Sequence, residues 1–444
     1  MGLIAVLGSG MAALGASYRL RQESAAHVLF DMNDHLGGHT ASHPDPTGFV
    51  FDEGPHISFT KDTRIQKLLE ENVNGEFELF RARVNNYWKG VWIKHPAQCN
   101  LHGLPADFLV KILMDMIEAR YKPASQAPTN YAEWLIASFG RTFAEHFPMA
   151  YGRKYHTTEA ANMSLDWLGP RLYQPALEEV LGGALAPDTP DVHYISEFRY
   201  PSRGGFQSFV EPFTRGVDLR LGHEVVGVDE QQRVLTFANG NTTKYDALIS
   251  SMPLPELVRV LTHAPREVRA AAARLACSTC VVVSVGVNRR DLSDWHWTYF
   301  YDADFCFSRV SFPHMFSPHN APDGMGSIQV EVYYSDKYKP LACTLDECTD
   351  RVIADLMRCG LLRDSDTIVC KNALLVRHAN VIFDLERASA LAIVREYLDT
   401  AGIRACGRYG DWAYHWTDES FKSGESAAQR VLDSMTTAAA PSAS

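Results

Sequence analysis

Gly8, Gly10 and Ala13 stand in a GxGxxA spacing directly after the apolar run Leu3-Ile-Ala-Val-Leu7. That is the form of a loop that binds the pyrophosphate of a dinucleotide. Gly8 permits the tight turn out of a strand, and Gly10 lets the backbone approach the phosphates, which rest on the positive end of the following helix. Met11 and Ala12 open that helix, and Ala13 and Ala16 keep it close to the sheet. A lone glycine motif is a weak signal, but its context strengthens this one. His27-Val-Leu-Phe30 reads as a second strand ending in Asp31, followed by Met32. Asp31 lies about twenty residues beyond the glycines, where a carboxylate accepts hydrogen bonds from ribose hydroxyls. NAD and FAD both use this unit.

Two further stretches can touch the same cofactor. Leu36-Gly37-Gly38-His39-Thr40 follows the acidic strand at once, and its glycine pair offers another close backbone approach. Phe51-Asp-Glu-Gly54-Pro55-His56-Ile57 would bring backbone near a cofactor ring. Cys277 and Cys280 form the only CxxC, just before an apolar run. A redox pair or half a metal site is one reading, and two small residues opening a buried strand is the favoured one. No metal is expected.

The elements that must position these residues are spread along 444 residues, enough for two interleaved domains. A hydrophobic content of 46% and a charged content of 21% are those of an ordinary globular chain. The net charge of -11 argues against a nucleic-acid partner, which needs a basic face. Nine cysteines, an odd number, are no secreted disulfide framework and point to a reducing, cytoplasmic setting. The small apolar N-terminus lacks the basic flank of a signal peptide, and no apolar run reaches the roughly eighteen residues of a membrane span.

After the N-terminal strand–helix–strand unit, residues 105–121 and 131–147 carry apolar residues at helical spacing. Segment 61–202 therefore reads as a helical cap. Residues 218–228, 234–237 and 245–251 return to strand patterns, with Asn239-Gly240-Asn241 as a hairpin turn. Residues 281–287, 297–301 and 327–334 predict strands of a second sheet, and residues 402–433 a closing strand, turn and helix. The predicted fold is α/β: a Rossmann-like domain assembled from 1–60, 203–255 and 400–435, with the cap and a second mixed sheet (256–399) inserted. Residues 436–444, rich in Ala, Ser and Thr, read as a disordered tail.

The glycine pair after the acidic strand resembles the extended FAD signature of the amine oxidase and protoporphyrinogen oxidase superfamily. Gly54-Pro-His-Ile57 resembles the G-P-H-I stretch of UDP-galactopyranose mutases. Tyr151-Gly-Arg-Lys154, Asp166-Trp167, Tyr200-Pro201 with Gly204-Gly205, and Phe307-Ser-Arg309-Val-Ser-Phe312 resemble segments of protoporphyrinogen-oxidase-like proteins. Gly407-Arg408-Tyr-Gly410-Asp-Trp-Ala-Tyr414 resembles the closing motif of both groups. The resemblance implies FAD, held by the glycine segments above with Val225, Ser251, Gly407, Arg408, Asp418 and Ser420. Two departures touch the active face. Phe59 stands where the mutases carry a second histidine, and Tyr155-His156 replaces a Trp-Gly pair.

The implied function is FAD-dependent oxidation, with a hydride passing from a small organic substrate to flavin N5. His56, Arg408, Tyr414 and His156 are the catalytic candidates, His156 as a base. Tyr151, Tyr155 and Trp412 would line the site. Trp295-His-Trp297 and Tyr299-Phe300-Tyr301 could form an aromatic wall, although aromatics at strand spacing are more often core. The alternative is a redox-neutral, mutase-like enzyme acting on a nucleotide sugar, with Arg153, Arg171, Arg203 and Arg309 as candidate phosphate ligands. A flavin-binding protein without activity is a third reading. A small-molecule substrate is the expected partner, and whether the chain forms a homodimer is left open.

Overall fold

A computed structural model describes residues 2–439 apart from 123–125, 170–171, 191 and 193–194. Ile4–Leu7 is wholly buried and pairs in parallel with His27–Phe30 on one side and Ala247–Ser250 on the other. Ile403–Ala405 and Leu219–Arg220 add parallel edges, giving a five-stranded sheet. A strand covered on both faces is nearly continuous in apolar residues, as 4–7 are and as 247–249 are before the buried Ser250. The α/β class read from the sequence is the observed one. We propose the three-segment division for the cofactor domain, because all five strands fall within 1–60, 203–255 and 400–435.

Helix Met11–Gln22 packs on this sheet through Ala13, Leu14 and Ala16, all fully buried. The closing helix Thr417–Ala439 covers its other side at backbone contact. A Cβ on Gly15 would lie 2.1 Å from the Phe421 carbonyl oxygen, and one on Gly424 would lie 1.8 Å from that of Ala12. This helix runs through Thr436 to Ala439, so the expected disordered tail is helical up to there. Alanine's high helix propensity continues the preceding turns. Residues 440–444 lie outside the described residues.

A second sheet has seven strands, in the order Ile368–Val381, Cys277–Val287, Gly326–Tyr334, Arg309–Ser311, Trp297–Phe300, Val84–Trp88 and Val91–Lys94. Only the pairing of Trp297–Phe300 with Val84–Trp88 is parallel, so the sheet is mixed as expected. Val84–Trp88 and Val91–Lys94 correct the reading of 61–202 as purely helical. Phe77–Arg81, which pairs with Glu197–Pro201, corrects it too. The two segments in the large sheet are short, and tertiary pairing overrides their weak local signal. The rest of the cap is helical, including Ala106–Tyr121, Tyr131–Phe139, Arg141–His146 and Pro148–Tyr155. Gly140, at φ +74°, breaks the run expected over 131–147 into two helices. Cys277 and Cys280 open a buried strand as unpaired thiols, and three residues apart on a strand they point to opposite faces.

Four enclosed imidazoles are held neutral. The Arg83 N–H donates to His296 Nδ1 at 2.9 Å, leaving the ring proton on Nε2, and burial pulls this histidine down to about 3. The Ser327 N–H donates to His314 Nδ1 at 3.0 Å, and burial lowers that ring to about 4. Burial also lowers His56 to about 4 and His156 to about 3. Asp52 works in the opposite sense: burial raises it to about 6, although Tyr200 Oη and the Phe206 N–H donate to it. The unfolded chain protonates its histidines near pH 6.5. The stability tied to the four rings is thus complete above that pH and lost progressively as pH falls toward 4 and 3. Asp52 opposes them, contributing stability at low pH that is lost as pH rises through 6. Four groups outweigh one, at up to about 1.4 kcal/mol per pH unit for each imidazole. Scanning calorimetry should show Tm falling between pH 7 and pH 5, and a flat or rising Tm there would contradict this account.

Candidate flavin site

The glycine segments converge at one point. Gly8, at φ +108°, turns the chain out of its strand, and a Cβ there would sit 2.2 Å from Ser251 Oγ. That hydroxyl donates to the Leu7 carbonyl at 2.9 Å. Gly10 caps helix Met11–Gln22, whose N-terminus no side chain satisfies, leaving first-turn N–H groups open to an anion. Gly10 forms a backbone bridge with Gly37, and a Cβ on Gly38 would lie 3.3 Å from Gly10 Cα. Thr40 Oγ1 donates to the Gly37 carbonyl at 2.7 Å, holding the left-handed glycine turn. Gly407 approaches from the other end of the chain, where a Cβ would sit 2.5 Å from that of Ala12. These are cradles that side chains would fill, and they fit a pyrophosphate lying along the helix terminus.

Asp31 ends its strand buried. Its carboxylate accepts from Ser9 Oγ at 2.6 Å and from the Asn33 N–H at 2.9 Å, which leaves lone pairs for a ribose diol. Met32 points outward, 64% exposed. Residues 222 and 223 donate backbone N–H groups to the Asn33 and Asp31 carbonyls, and Val225, two residues on, is buried in the core cluster that contains Phe30. Asp418, in the first turn of the closing helix, accepts from Thr60 Oγ1 at 2.6 Å, and the Ser420 N–H donates to the Trp416 carbonyl. Phe59 packs edge-on against Trp416, with centroids 4.8 Å apart.

Gly54-Pro55-His56-Ile57 follows strand Val50–Asp52. His56 Nδ1 lies 3.0 Å from the Gly54 carbonyl. A carbonyl only accepts, so Nδ1 carries the proton and Nε2 keeps its lone pair. Ile57 packs against the core. His39 Nδ1 lies 2.9 Å from Glu53 Oε2, and its ring meets Tyr409 edge-on at 5.4 Å.

Beyond this cradle lies a cavity of about 220 Å3 walled, among the described residues, by seven tyrosines: Tyr131, Tyr151, Tyr155, Tyr173, Tyr299, Tyr301 and Tyr414. His156, Trp167 and Arg309 share the wall. Tyr299 and Tyr301 alternate with core-facing Phe300 on one strand, so the aromatic wall exists in part. Trp297 is buried in the core, and Trp412, placed in the site by the sequence reading, is fully buried beneath the parallel sheet with Phe383 and Leu391. Burial pushes the Tyr151, Tyr155 and Tyr299 hydroxyls up, so they stay neutral. His156 packs against Tyr155 and Trp167. Lowered to about 3, it is a feeble proton acceptor.

The charges on the wall are committed. Arg309 and Glu331, opposite one another on adjacent strands, form a bidentate pair to which Tyr333 Oη adds a hydrogen bond at 2.9 Å. The missing Cβ of Gly54 lies 3.6 Å from Glu331 Oε1, so this pair joins the cavity to the cradle. Arg153 is exposed and paired with Glu159, Arg203 is exposed, and Arg171 lies outside the described residues. Arg408 bridges the two regions: Nε donates to the His415 carbonyl at 2.8 Å, Nη1 to Asn380 Oδ1 at 3.1 Å, and the guanidinium lies over Tyr414. Tyr155 Oη donates to the same Asn380 oxygen at 2.9 Å and lies 3.3 Å from Tyr414 Oη. Asn380, which the sequence reading missed, carries no motif of its own. Lys154 is buried and donates to the Phe300 and Asp302 carbonyls, and burial lowers it to about 7.

Fold and cradle together define an FAD-binding flavoprotein with a separate aromatic cavity. The profile described as flavin-containing amine oxidoreductase matches residues 11–432, and the chain belongs to that family. A reduced UDP-galactopyranose mutase is 25% identical with a TM-score of 0.92, over 98% of this chain and 96% of its own. A protein assigned as a protoporphyrinogen oxidase from Exiguobacterium sp. 255-15 is 14% identical with a TM-score of 0.75, over 97% of this chain and 99% of its own, a likeness of fold. The 4,4'-diaponeurosporene oxygenase of Staphylococcus aureus (strain USA300) is 22% identical over 292 residues, 59% of this chain and 57% of the relative. The chain thus spans little more than half the length of that curated relative. The cofactor is FAD.

Gly10→Val should leave the chain folded and free of flavin. A Cβ fits at 3.5 Å from the Gly37 carbonyl, but the branched methyls reach into the gap where the phosphates must lie. Normal flavin retention, read from the visible spectrum after gel filtration, would count against the cradle. Asn380→Ala should lower stability by about 1–3 kcal/mol, because two buried donors lose one acceptor. Urea unfolding checks this, and an unchanged midpoint would show that neither donor relies on Asn380.

Proposed function

We propose that this protein is an FAD-dependent oxidoreductase whose substrate is a small, neutral, ring-bearing organic molecule held in the tyrosine-lined cavity. The observation that carries this reading is the charge state of the wall. Its hydroxyls and His156 are neutral, and its one lining guanidinium among the described residues, Arg309, is neutralised by Glu331. FAD supplies, when bound, a two-electron acceptor for a substrate hydride. The tyrosines orient a ring by stacking and by hydroxyl hydrogen bonds, and they exclude water. Arg408, held by two neutral acceptors, keeps its positive charge and would stabilise negative charge on a bound FAD. Burial holds the His56 ring neutral, so its Nε2 offers a hydrogen-bond acceptor and keeps no proton. The accompanying proton leaves to water, and a separate electron acceptor, oxygen or another oxidant, closes the cycle. In this reading Asp31 and Val225 hold the adenosine end and Gly8, Gly10, Met11 and Ala12 the pyrophosphate. Gly37–Thr40, Gly54–Ile57, Gly407, Asp418 and Ser420 line the remainder.

A redox-neutral, mutase-like activity on a nucleotide sugar is the second reading. It is favoured by the TM-score of 0.92 to a UDP-galactopyranose mutase and by two guanidinium groups near the cradle. The experiment that separates the two is anaerobic spectroscopy of the holoprotein. A panel of neutral amines and porphyrinogen-like compounds should bleach the visible flavin band directly, and admitting air should restore it. Interconversion of a UDP-sugar by the dithionite-reduced protein, with no bleaching by any panel member, would sink the oxidoreductase reading. Arg408→Ala should lower kcat about 10²-fold at unchanged flavin content, with a loss of stability comparable to that of Asn380→Ala, since it breaks the same hydrogen bond. Full turnover in that variant would remove Arg408 from the assignment.

A further inference from the structure

His35, His39 and His43 recur at four-residue intervals. They occupy no α-helix: Gly38–Thr40 is a single 3-10 turn and Ser42–Pro44 a short strand. The turn nevertheless brings His35 and His43 face to edge, with ring centroids 5.4 Å apart. The Nε2 atom of each is buried without a hydrogen-bond partner. Both aim at one oxygen, since Glu53 Oε1 lies 4.0 Å from His35 Nε2 and 3.6 Å from His43 Nε2. Strand Ser42–Pro44 pairs with Val50–Asp52, and the Glu53 N–H donates to the Ala41 carbonyl at 3.1 Å, so the backbone fixes this convergence.

Two imidazole nitrogens and a carboxylate oxygen all lie within 4.8 Å of one another, at ion-pair distances of 4.0 and 3.6 Å from Glu53 Oε1 that are longer than well-formed hydrogen bonds. They are spaced for an ion between them. Bonds of about 2.0–2.2 Å to a tetrahedral zinc place its ligand atoms about 3.4 Å apart, so closure needs only small side-chain movements. The surrounding contacts have the form that orients metal ligands. Asp34 Oδ1 lies 2.9 Å from His35 Nδ1, which holds the proton there and leaves Nε2 as the donor atom, and His39 steadies Glu53 through its other oxygen at 2.9 Å.

We propose that His35, His43 and Glu53 form a binding site for a divalent transition-metal ion, zinc by its ligand chemistry, with a fourth position for water. Side-chain exposures of 36%, 39% and 13% let an ion enter from solvent. Gly37 and Gly38 lie between the ligands in sequence and against Gly10 in space. The ion therefore acts as a tether on the second glycine loop, fixing it over the pyrophosphate cradle. This role is independent of which substrate the cavity takes.

The test is made on the full-length, FAD-loaded protein, stripped with a chelator and dialysed against zinc chloride. Elemental analysis should find one zinc per chain, and calorimetric titration a single tight site. His35→Gln, His43→Gln and the isosteric Glu53→Gln should each weaken that site at least 10-fold, with the flavin spectrum reporting that each variant is folded. His263→Gln, at an exposed histidine beside Asp229, should leave it unchanged. Absence of stoichiometric zinc overturns the proposal. So does an affinity indifferent to every folded variant of the three ligands.

Discussion

The structure depends on the contact between its first helix and its last. Met11–Gln22 and Thr417–Ala439 meet backbone to backbone, and a β-carbon at Gly15 or Gly424 would occupy the other helix's carbonyl oxygen. A glycine inside a helix costs about 0.5–1 kcal/mol relative to alanine. The return on that cost is geometric. With the helices this close, Gly407 lies over Ala12, the helix N-terminus and the Gly37–Gly38 turn meet at one point, and the two ends of the chain close on the same cradle. The cap and the seven-stranded sheet are insertions held by that clasp.

Legibility in the sequence followed locality. The N-terminal strand–helix–strand unit, its glycines and Asp31 are contiguous, and each residue type carries its own physical reason, so they could be read directly. The same holds for the Asn239–Asn241 turn, where Gly240 adopts φ +83°. Strand Ile368–Val381 was missed because its charged and polar residues interrupt any alternation: it is the edge strand of its sheet, and its register against Cys277–Val287 shifts twice. Val84–Trp88 was absorbed into a helical region because the strand that joins it to the large sheet, Trp297–Phe300, lies more than two hundred residues away, and its own hairpin with Val91–Lys94 is short. Trp412 was misplaced for the converse reason, since its neighbours in the closing motif do reach the cavity while it turns under the sheet. Asn380 and Glu331 could not be found at all, because their importance lies in the partners that folding brings to them.

Arg408 and Arg309 show how one residue type serves two purposes a short distance apart. Arg408 rests on two neutral oxygens, from His415 and Asn380, so its charge is not cancelled and acts on whatever lies beside it. Arg309 faces a carboxylate in a fork-to-fork pair, so its field outside the pair is small. The difference follows from Asn380, an amide in place of an acid, and from Glu331, an acid placed against the loop at Gly54.

That arrangement bears on what the cavity can accept. Taking two charges out of water is costly, and a buried pair is rarely retained for stability alone. Here the pair is complemented by Tyr333 Oη and spans the junction of cavity and cradle, so its role is to hold two regions in register. An anionic substrate that drew Arg309 toward itself would leave Glu331 buried and unpaired, at a cost of about 3–5 kcal/mol. Its new contacts would have to offset that before any net binding remained. A neutral ring meets no such penalty among hydroxyls that burial keeps protonated. The selectivity we propose for the wall thus rests less on the number of its aromatic residues than on the prior commitment of Arg309 to Glu331.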